Sequence, residues 1–382
     1  MHAGGDLQLG GPRVAEAHIR FGFSDPTGSV VSVDLLQEVS RPRVGPRFAR
    51  LDDGSFLLEW PRPNADRVEY QLLLGYADGG SSTVCDPENP LTAPGPFGDR
   101  SVVELAGYAA PAWVDVEPQT EGILRQVSVR SRILHSDVPV TIWEPADVSP
   151  EMALPILFAH DGPEYALYSG LTRMLDVAYS TGRIPPLRAA LVPPVVDRNQ
   201  IYSASAAYSR AFSHEILPGV EAVAPTPHGR RARMGMGASL GALAMLHIHR
   251  TNPATFGALF LQSGSFFRQR YDKQESGFVR FRRISRFVGT VLVGSQWLHP
   301  VRAVMTCGTI EENLANNRAV ARALKEQGYE VDLHVNRDGH NWIAWRDTFD
   351  PYLVDLLHEM WAGRSDGALD VGGAERRSTE GL

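Results

Sequence analysis

The sequence predicts an α/β fold, with a mainly parallel sheet and helices on both faces, preceded by a smaller β-rich domain. Three observations predict it. From about residue 121 onward, short apolar runs recur with helical patterns between them, as in strands covered on both sides. Before them, the stretch from Ser55 alternates apolar and polar residues between Gly, Asp and Pro turns, as in half-buried antiparallel strands. Finally, one serine stands between glycines where an apolar strand gives way to a helix.

In chain order, residues 1–45 carry scattered Gly and Pro with weak periodicity and are expected to be an irregular segment. Residues 46–120 read as a small sandwich-like lid domain, with strands at SFLLEWP, RVEYQLLLG and SVVELAG. Residues 121–362 read as the main domain. An antiparallel pair, QVSVRSRIL (126–134) and VPVTIWEP (138–145), is followed by strands at 154–161, 188–196, 231–239, 256–264, 301–308 and 331–338. Helical patterns fill the gaps, among them LGALAMLHIHRTN and EENLANNRAVARALKEQG, in which Leu314, Val320, Ala321 and Leu324 share a face. The tail, 363–382, lacks apolar periodicity and is expected to be disordered.

A chain of 382 residues can bury a catalytic core and still carry a second domain. Its net charge of −7 gives no electrostatic reason to expect nucleic acid as a partner. Two cysteines, Cys85 and Cys307, cannot build a disulfide framework. The N-terminus has no apolar signal stretch and no run approaches a membrane span, so the expectation is a cytoplasmic protein with no membrane partner, monomeric or homodimeric.

Gly237-Ala238-Ser239-Leu240-Gly241 is a G-x-S-x-G motif. Alone it is weak, but here it directly follows an apolar strand and opens a helix, the setting of a nucleophile elbow. The sharp turn strains the serine backbone, small neighbours relieve the crowding, and the helix N-terminus favours a developing negative charge. The bland alternative is a Ser N-cap in a Gly-rich turn. In an α/β-hydrolase the acid and then the histidine follow the serine along the chain. His340, in the Asp338-Gly339-His340-Asn341-Trp342 loop after the final strand, stands where the base belongs. Glu311 or Glu312, after the strand VRAVMTCG, fits the acid, and position alone barely separates them. Either could instead be favourable charge at a helix N-terminus. Leu240 supplies one oxyanion N–H. The loop His160-Asp161-Gly162-Pro163-Glu164 supplies the other, and since Pro163 has no N–H, Gly162 is the candidate. This chemistry needs no cofactor and no metal.

These residues resemble the enterochelin (enterobactin) esterase family, a branch of the α/β-hydrolases that opens trilactone siderophores. The segments that carry the resemblance are HDGPEY, DRNQIYSASAAYSRAFSHEILPGV, MGMGASLGALAML, LFLQSGSFF, TCGTIEENLANNRAVARAL and DGHNWIAWR, with VCDPENP and SVVELAG similar to the family's β-sandwich lid. The resemblance implies Glu311 as the acid and strengthens His340. It also implies Arg198 and Asp161 as substrate contacts, with a structural ion pair as the alternative for Arg198. Gln200, Ala242 and Asn341 depart from the family's pattern.

The expected function is therefore a serine carboxylesterase acting on a small-molecule ester or lactone, a siderophore among the candidates. An acyltransferase, a general carboxylesterase and a non-catalytic binding protein are the alternatives. A ferric catecholate siderophore is a trianion and needs cationic contacts. Residues 268–287 carry Arg268, Arg270, Lys273, Arg280, Arg282, Arg283 and Arg286. They read either as an anion-attracting rim or as the solvated face of an amphipathic helix whose other face holds Phe278, Phe281, Ile284 and Phe287.

Overall fold

The computed structural model describes residues 11–364. All but the first two residues of the expected disordered tail (363–382) lie outside the described residues. Ten strands come first: β1 (Arg13–Val14), β2 (His18–Phe23), β3 (Val30–Gln37), β4 (Val44–Arg47), β5 (Ala49–Arg50), β6 (Phe56–Pro61), β7 (Arg67–Tyr76), β8 (Ser81–Val84), β9 (Thr92–Ala93) and β10 (Arg100–Glu104). They make two antiparallel sheets, β1-β2-β6-β5 and β4-β3-β7-β10-β9, with β8 also paired to β7. Alternate residues face inward. Ile19, Phe21 and Phe23 of β2 and Phe56, Leu58 and Trp60 of β6 share one core with Val68, Tyr70 and Leu72 of β7. The Phe21 ring meets Tyr70 edge-on at 4.9 Å.

One expectation needs correction here. Residues 13–37, read as irregular, form three strands of this sandwich. Ile19 and Phe21 are fully buried, and each such side chain stabilises the fold by roughly 1.5–3 kcal/mol. The signal in HIRFGF spans only three inward positions. In VVSVDLLQ the buried polar residues Asp34 and Gln37 blur it. Both are satisfied locally: Asp34 pairs with Arg47, and the Gln37 side chain accepts from the Val39 and Ser40 N–H groups.

Eight further strands form one sheet: β11 (Ile123–Ser131), β12 (Ser136–Glu144), β13 (Ile156–His160), β14 (Arg188–Val192), β15 (Arg233–Ala238), β16 (Ala258–Gln262), β17 (Arg302–Gly308) and β18 (Glu330–Asn336). Their order is β11-β12-β14-β13-β15-β16-β17-β18. β11 and β12 pair antiparallel, β12 joins β14 antiparallel, and the other pairs are parallel. The strands β13 to β16 are buried along their length or nearly so, because helices cover both faces. The helix Leu240–Thr251 packs Leu243, Leu246 and Ile248 on one face, while Leu171–Ser180 and Val354–Trp361 pack Met174, Leu175 and Leu357 on the other. The sheet grows from β13 to β14 in one direction and from β13 to β15 in the other. At such a reversal a crevice opens beyond the carboxyl ends of the strands.

The sandwich sits on the loops that follow β17 and β18. Asp66 N–H donates to the Arg337 carbonyl at 2.6 Å, and Arg337 returns a bond to the Asp66 carboxylate at 2.8 Å. Thr309 Oγ1 donates to the Asn64 carbonyl, and Ile310 packs on the sandwich core. Those two loops carry Glu311 and His340.

Candidate active site

Ser239 directly follows β15 and precedes the helix Leu240–Thr251, with φ 56° and ψ −120°. A non-glycine residue in that region is strained, and the surrounding backbone holds it there. Its N–H donates to the Gln262 carbonyl at 2.9 Å, and its carbonyl accepts from Ser265 N–H at 3.1 Å. Gly237 is required by close approach, since a Cβ there would lie 2.6 Å from the Gly241 carbonyl carbon. Ser239 Oγ lies 3.0 Å from Ser265 Oγ. Leu240 and Gly162 are each the first residue of a helix, Leu240–Thr251 and Gly162–Ser169, where N–H groups have no acceptor within the helix. Gly162 is also held to glycine by space, a Cβ there falling 2.3 Å from Leu191 Cα.

His340 Nδ1 lies 2.7 Å from Glu311 Oε2. The other Glu311 oxygen accepts from Ser263 Oγ at 2.6 Å and from Gly308 N–H at 2.7 Å, and Trp345 Nε1–H donates to Ser263 Oγ at 3.0 Å. The carboxylate is thus fixed from three sides, with its side chain 2% exposed, while the His340 side chain stays 29% exposed. Trp345 stands edge-on to the imidazole at 5.1 Å. Burial pushes the imidazole pKa down, but the charge and hydrogen bond of Glu311 outweigh it and the net shift is upward. Asn341 caps the helix Trp342–Arg346 by accepting from Ala344 N–H, and its amide donates to Asp338. Burial raises the Asp338 carboxyl to about 7, against the opposing charge of Arg67 on the sandwich.

Glu312 points elsewhere. It accepts from Arg41 at 2.8–3.0 Å and from Arg43 at 2.9 Å, tying the sandwich to this loop. The two neighbouring glutamates therefore have different partners, Glu311 holding His340 and Glu312 holding Arg41 and Arg43.

Ser239 and His340 open onto one cleft of about 300 Å³, the lower end of the range for small-molecule sites. Asp161, Arg198 and Trp342 line it from the main domain. Asp161, left-handed at φ 51°, takes a two-pronged ion pair from Arg198 at 2.8 and 2.6 Å. The expected substrate contact is therefore already bonded within the chain. His160 is fully buried among Tyr202, Tyr208 and Phe212, and burial lowers its pKa to about 3.

The other wall comes from the sandwich, and sequence reasoning missed it. Glu38, Arg43, Glu69 and Arg100 reach the cleft from the strands or strand ends of this region, together with the loop Pro94–Gly98. Phe97 on that loop is 94% exposed. Ser263 and Ser265 were also missed as site residues, although a serine pair directly after β16, at the carboxyl edge of the sheet, was the available signal. The basic segment 268–287 behaves as an amphipathic helix flank. Phe281, Ile284 and Val288 of the helix Phe281–Leu292 join the core. Arg280 bonds the Gln200 side chain, Arg283 the Ser203 and Gln200 carbonyls, and Arg268 the Asn316 side chain.

A strained serine at a strand-to-helix elbow, with a carboxylate-bound histidine at the carboxyl edge of a parallel sheet, defines a serine hydrolase of the α/β-hydrolase class. Residues 131–356, more than half of the chain, match the family described as "Putative esterase". The chain belongs to that family and is a carboxylic ester hydrolase. It is similar to the iron(III) enterobactin esterase of Escherichia coli O6:H1, 23% identical over 308 residues, 79% of this chain and 74% of that protein. The uncharacterized protein YjcH of Bacillus subtilis is 23% identical over 243 residues, 62% of this chain and 98% of its own. Among solved structures, the enterobactin esterase FES of Shigella flexneri, determined in the presence of enterobactin, has a TM-score of 0.73 at 20% identity. That likeness covers 95% of this chain and 100% of the other, so the shared fold includes the N-terminal sheets. No helix among the described residues is long and apolar enough to cross a membrane.

Proposed function

We propose that this esterase works through an acyl-enzyme on Ser239, with His340 as general base and Glu311 as the group that orients it. The observation that carries the reading is the convergence of Ser239 with the Glu311-bound His340 at one cleft. With Nδ1–H donating to Glu311, Nε2 is left as the acceptor for the serine proton. The serine oxygen then adds to the ester carbonyl. The oxyanion rests on the Leu240 N–H and on a second donor, for which Gly162 remains the candidate. Collapse expels the alcohol, which takes the proton back from His340, and water repeats the sequence to release the acid. Burial of Glu311 keeps its geometry fixed while the exposed edge of His340 meets substrate.

The substrate is a small-molecule ester or lactone. The names carried by the relatives bring siderophore lactones to this chain as candidates, with Asp161 and Arg198 forming the main-domain wall against which they lie. Two free cysteines, Cys85 and Cys307, fit the cytoplasmic setting we assign. The test is fluorophosphonate labelling with a hydrolysis panel of short p-nitrophenyl esters and trilactones, metal-free and ferric. Labelling and turnover are expected in the wild type and neither in Ser239→Ala. A folded Ser239→Ala protein with full activity defeats the reading.

A further inference from the structure

We infer that this cleft selects esters carrying no net negative charge, and that Glu38 and Glu164 set that preference. The inference rests on the esterase reading and deepens it. Each arginine that lines the cleft is already bonded to a carboxylate of the chain. Arg43 donates to Glu38 at 3.0 Å and to Glu312 at 2.9 Å, and Arg100 donates to Glu38 at 3.1 Å. Arg198 is held by both oxygens of Asp161.

The carboxylates are in excess. Glu69 has its own partner, Arg67, at 2.8 Å. Glu164 lines the same cleft without an ion pair, its Oε2 sealed from solvent and without a hydrogen-bond partner. On the far side of Ser239, Glu275 and Glu312 share Arg41. A polyanion such as a ferric catecholate therefore meets compensated arginines and one spare carboxylate. Entering groups of like charge are disfavoured, and few free cations offset the cost. A neutral ester, including the metal-free form of a catecholate lactone, meets no such penalty.

The full chain can be tested with two p-nitrophenyl esters that share one acyl chain, the adipate monoester with its free carboxylate and its methyl-capped counterpart. kcat/KM for the neutral ester is expected to be roughly tenfold higher, and the gap should narrow as salt rises, because screening weakens repulsion. Glu38→Gln releases Arg43 and Arg100 from their shared carboxylate and should narrow the gap by about threefold. Glu164→Gln should act in the same direction and serves if Glu38→Gln does not fold. The ratio of the two esters is the readout, so a general loss of activity cancels. A metal-free trilactone should likewise be turned over faster than its ferric complex. Wild-type preference for the anionic ester, weakened by salt, overturns the inference, as does a ratio unmoved by both substitutions. Turnover of neither ester, with no labelling of Ser239, defeats the esterase reading itself.

Discussion

The two walls of the cleft are built differently. The main-domain wall is local: Ser239, Leu240 and Gly241 follow β15 within a few residues, and Glu311 and His340 each follow the strand that precedes them. The sandwich wall is distant in sequence: Glu38, Arg43 and Arg100 lie well over a hundred residues before Ser239 and reach it only through the packing of two sheets on the β17 and β18 loops. On the reading proposed above, the first wall carries bond making and breaking and the second decides what enters. Substitutions on the two sides should differ in kind, the first removing turnover and the second changing selectivity.

The comparison breaks most sharply at the serine. Ser239→Ala and His340→Ala should each reduce kcat by several orders of magnitude, and the double variant should be scarcely worse than either alone, because the two groups act as a unit. Stopped assays with a p-nitrophenyl ester, together with circular dichroism to verify folding, measure this. Additive losses would separate the two residues mechanistically.

Glu311 and Glu312 adjoin in sequence and lie on opposite sides of the comparison. Glu311→Gln removes the charge that fixes the imidazole, and a loss of about 10²–10⁴ in kcat is expected, since an analogous replacement in a serine protease triad costs about 10⁴. Glu312→Gln removes only an Arg41–Arg43 contact that is partly open to solvent. Its cost should be less than about 1 kcal/mol of stability, with turnover within a few-fold. Parallel kinetics and thermal melts of the two variants decide the assignment, and a larger loss in Glu312→Gln would reverse it.

The pH profile sharpens the same point. On the proposed mechanism His340 must be neutral to act as base, and its folded pKa lies above the ordinary value because Glu311 favours the imidazolium against the burial that disfavours it. kcat/KM should therefore fall as pH drops through a value above about 6.5. Replacing Glu311 by Gln removes the favourable charge and should move that acid limb to lower pH. Glu38 adds to the upward shift, so Glu38→Gln should move the limb in the same direction by less. An acid limb unmoved in Glu311→Gln would show that another group controls it.

What the sequence disclosed follows the same division. The eight strands of the main sheet, the elbow at Ser239 and the histidine loop were legible because each is a short-range pattern: an apolar run, a glycine pair, a loop after a strand. Strands β2 and β3 were not: β2 offers only three inward positions, and in β3 Asp34 and Gln37 interrupt the alternation and find their partners across turns that no periodicity announces. Arg198 was legible as a residue near the site, but its commitment to Asp161 was not, since the two lie 37 positions apart. The same holds for the arginines of 268–287. Their clustering fitted either a charged rim or the solvated face of a helix, and only the fold shows Arg280 and Arg283 bonded back to the chain around Gln200 and Ser203.

The smallest expected effect lies at the cleft mouth. Phe97 stands 94% exposed on the loop between β9 and β10, and the loop lines the cleft. An exposed ring contributes little to folding, so Phe97→Ala should leave stability within about 0.5 kcal/mol. Its role, if the sandwich wall governs entry, is to supply apolar area to a substrate held against Trp342 on the opposite side. KM for an aromatic ester should then rise by a few-fold, while KM for a short aliphatic ester and kcat for both stay near the wild type, because the serine, histidine and glutamate are untouched. Measuring both esters in wild type and Phe97→Ala, with melting temperatures alongside, reads the effect directly. Equal changes in KM for the two esters would mean that the loop contributes no aromatic recognition and that selectivity on this wall resides in its charges alone.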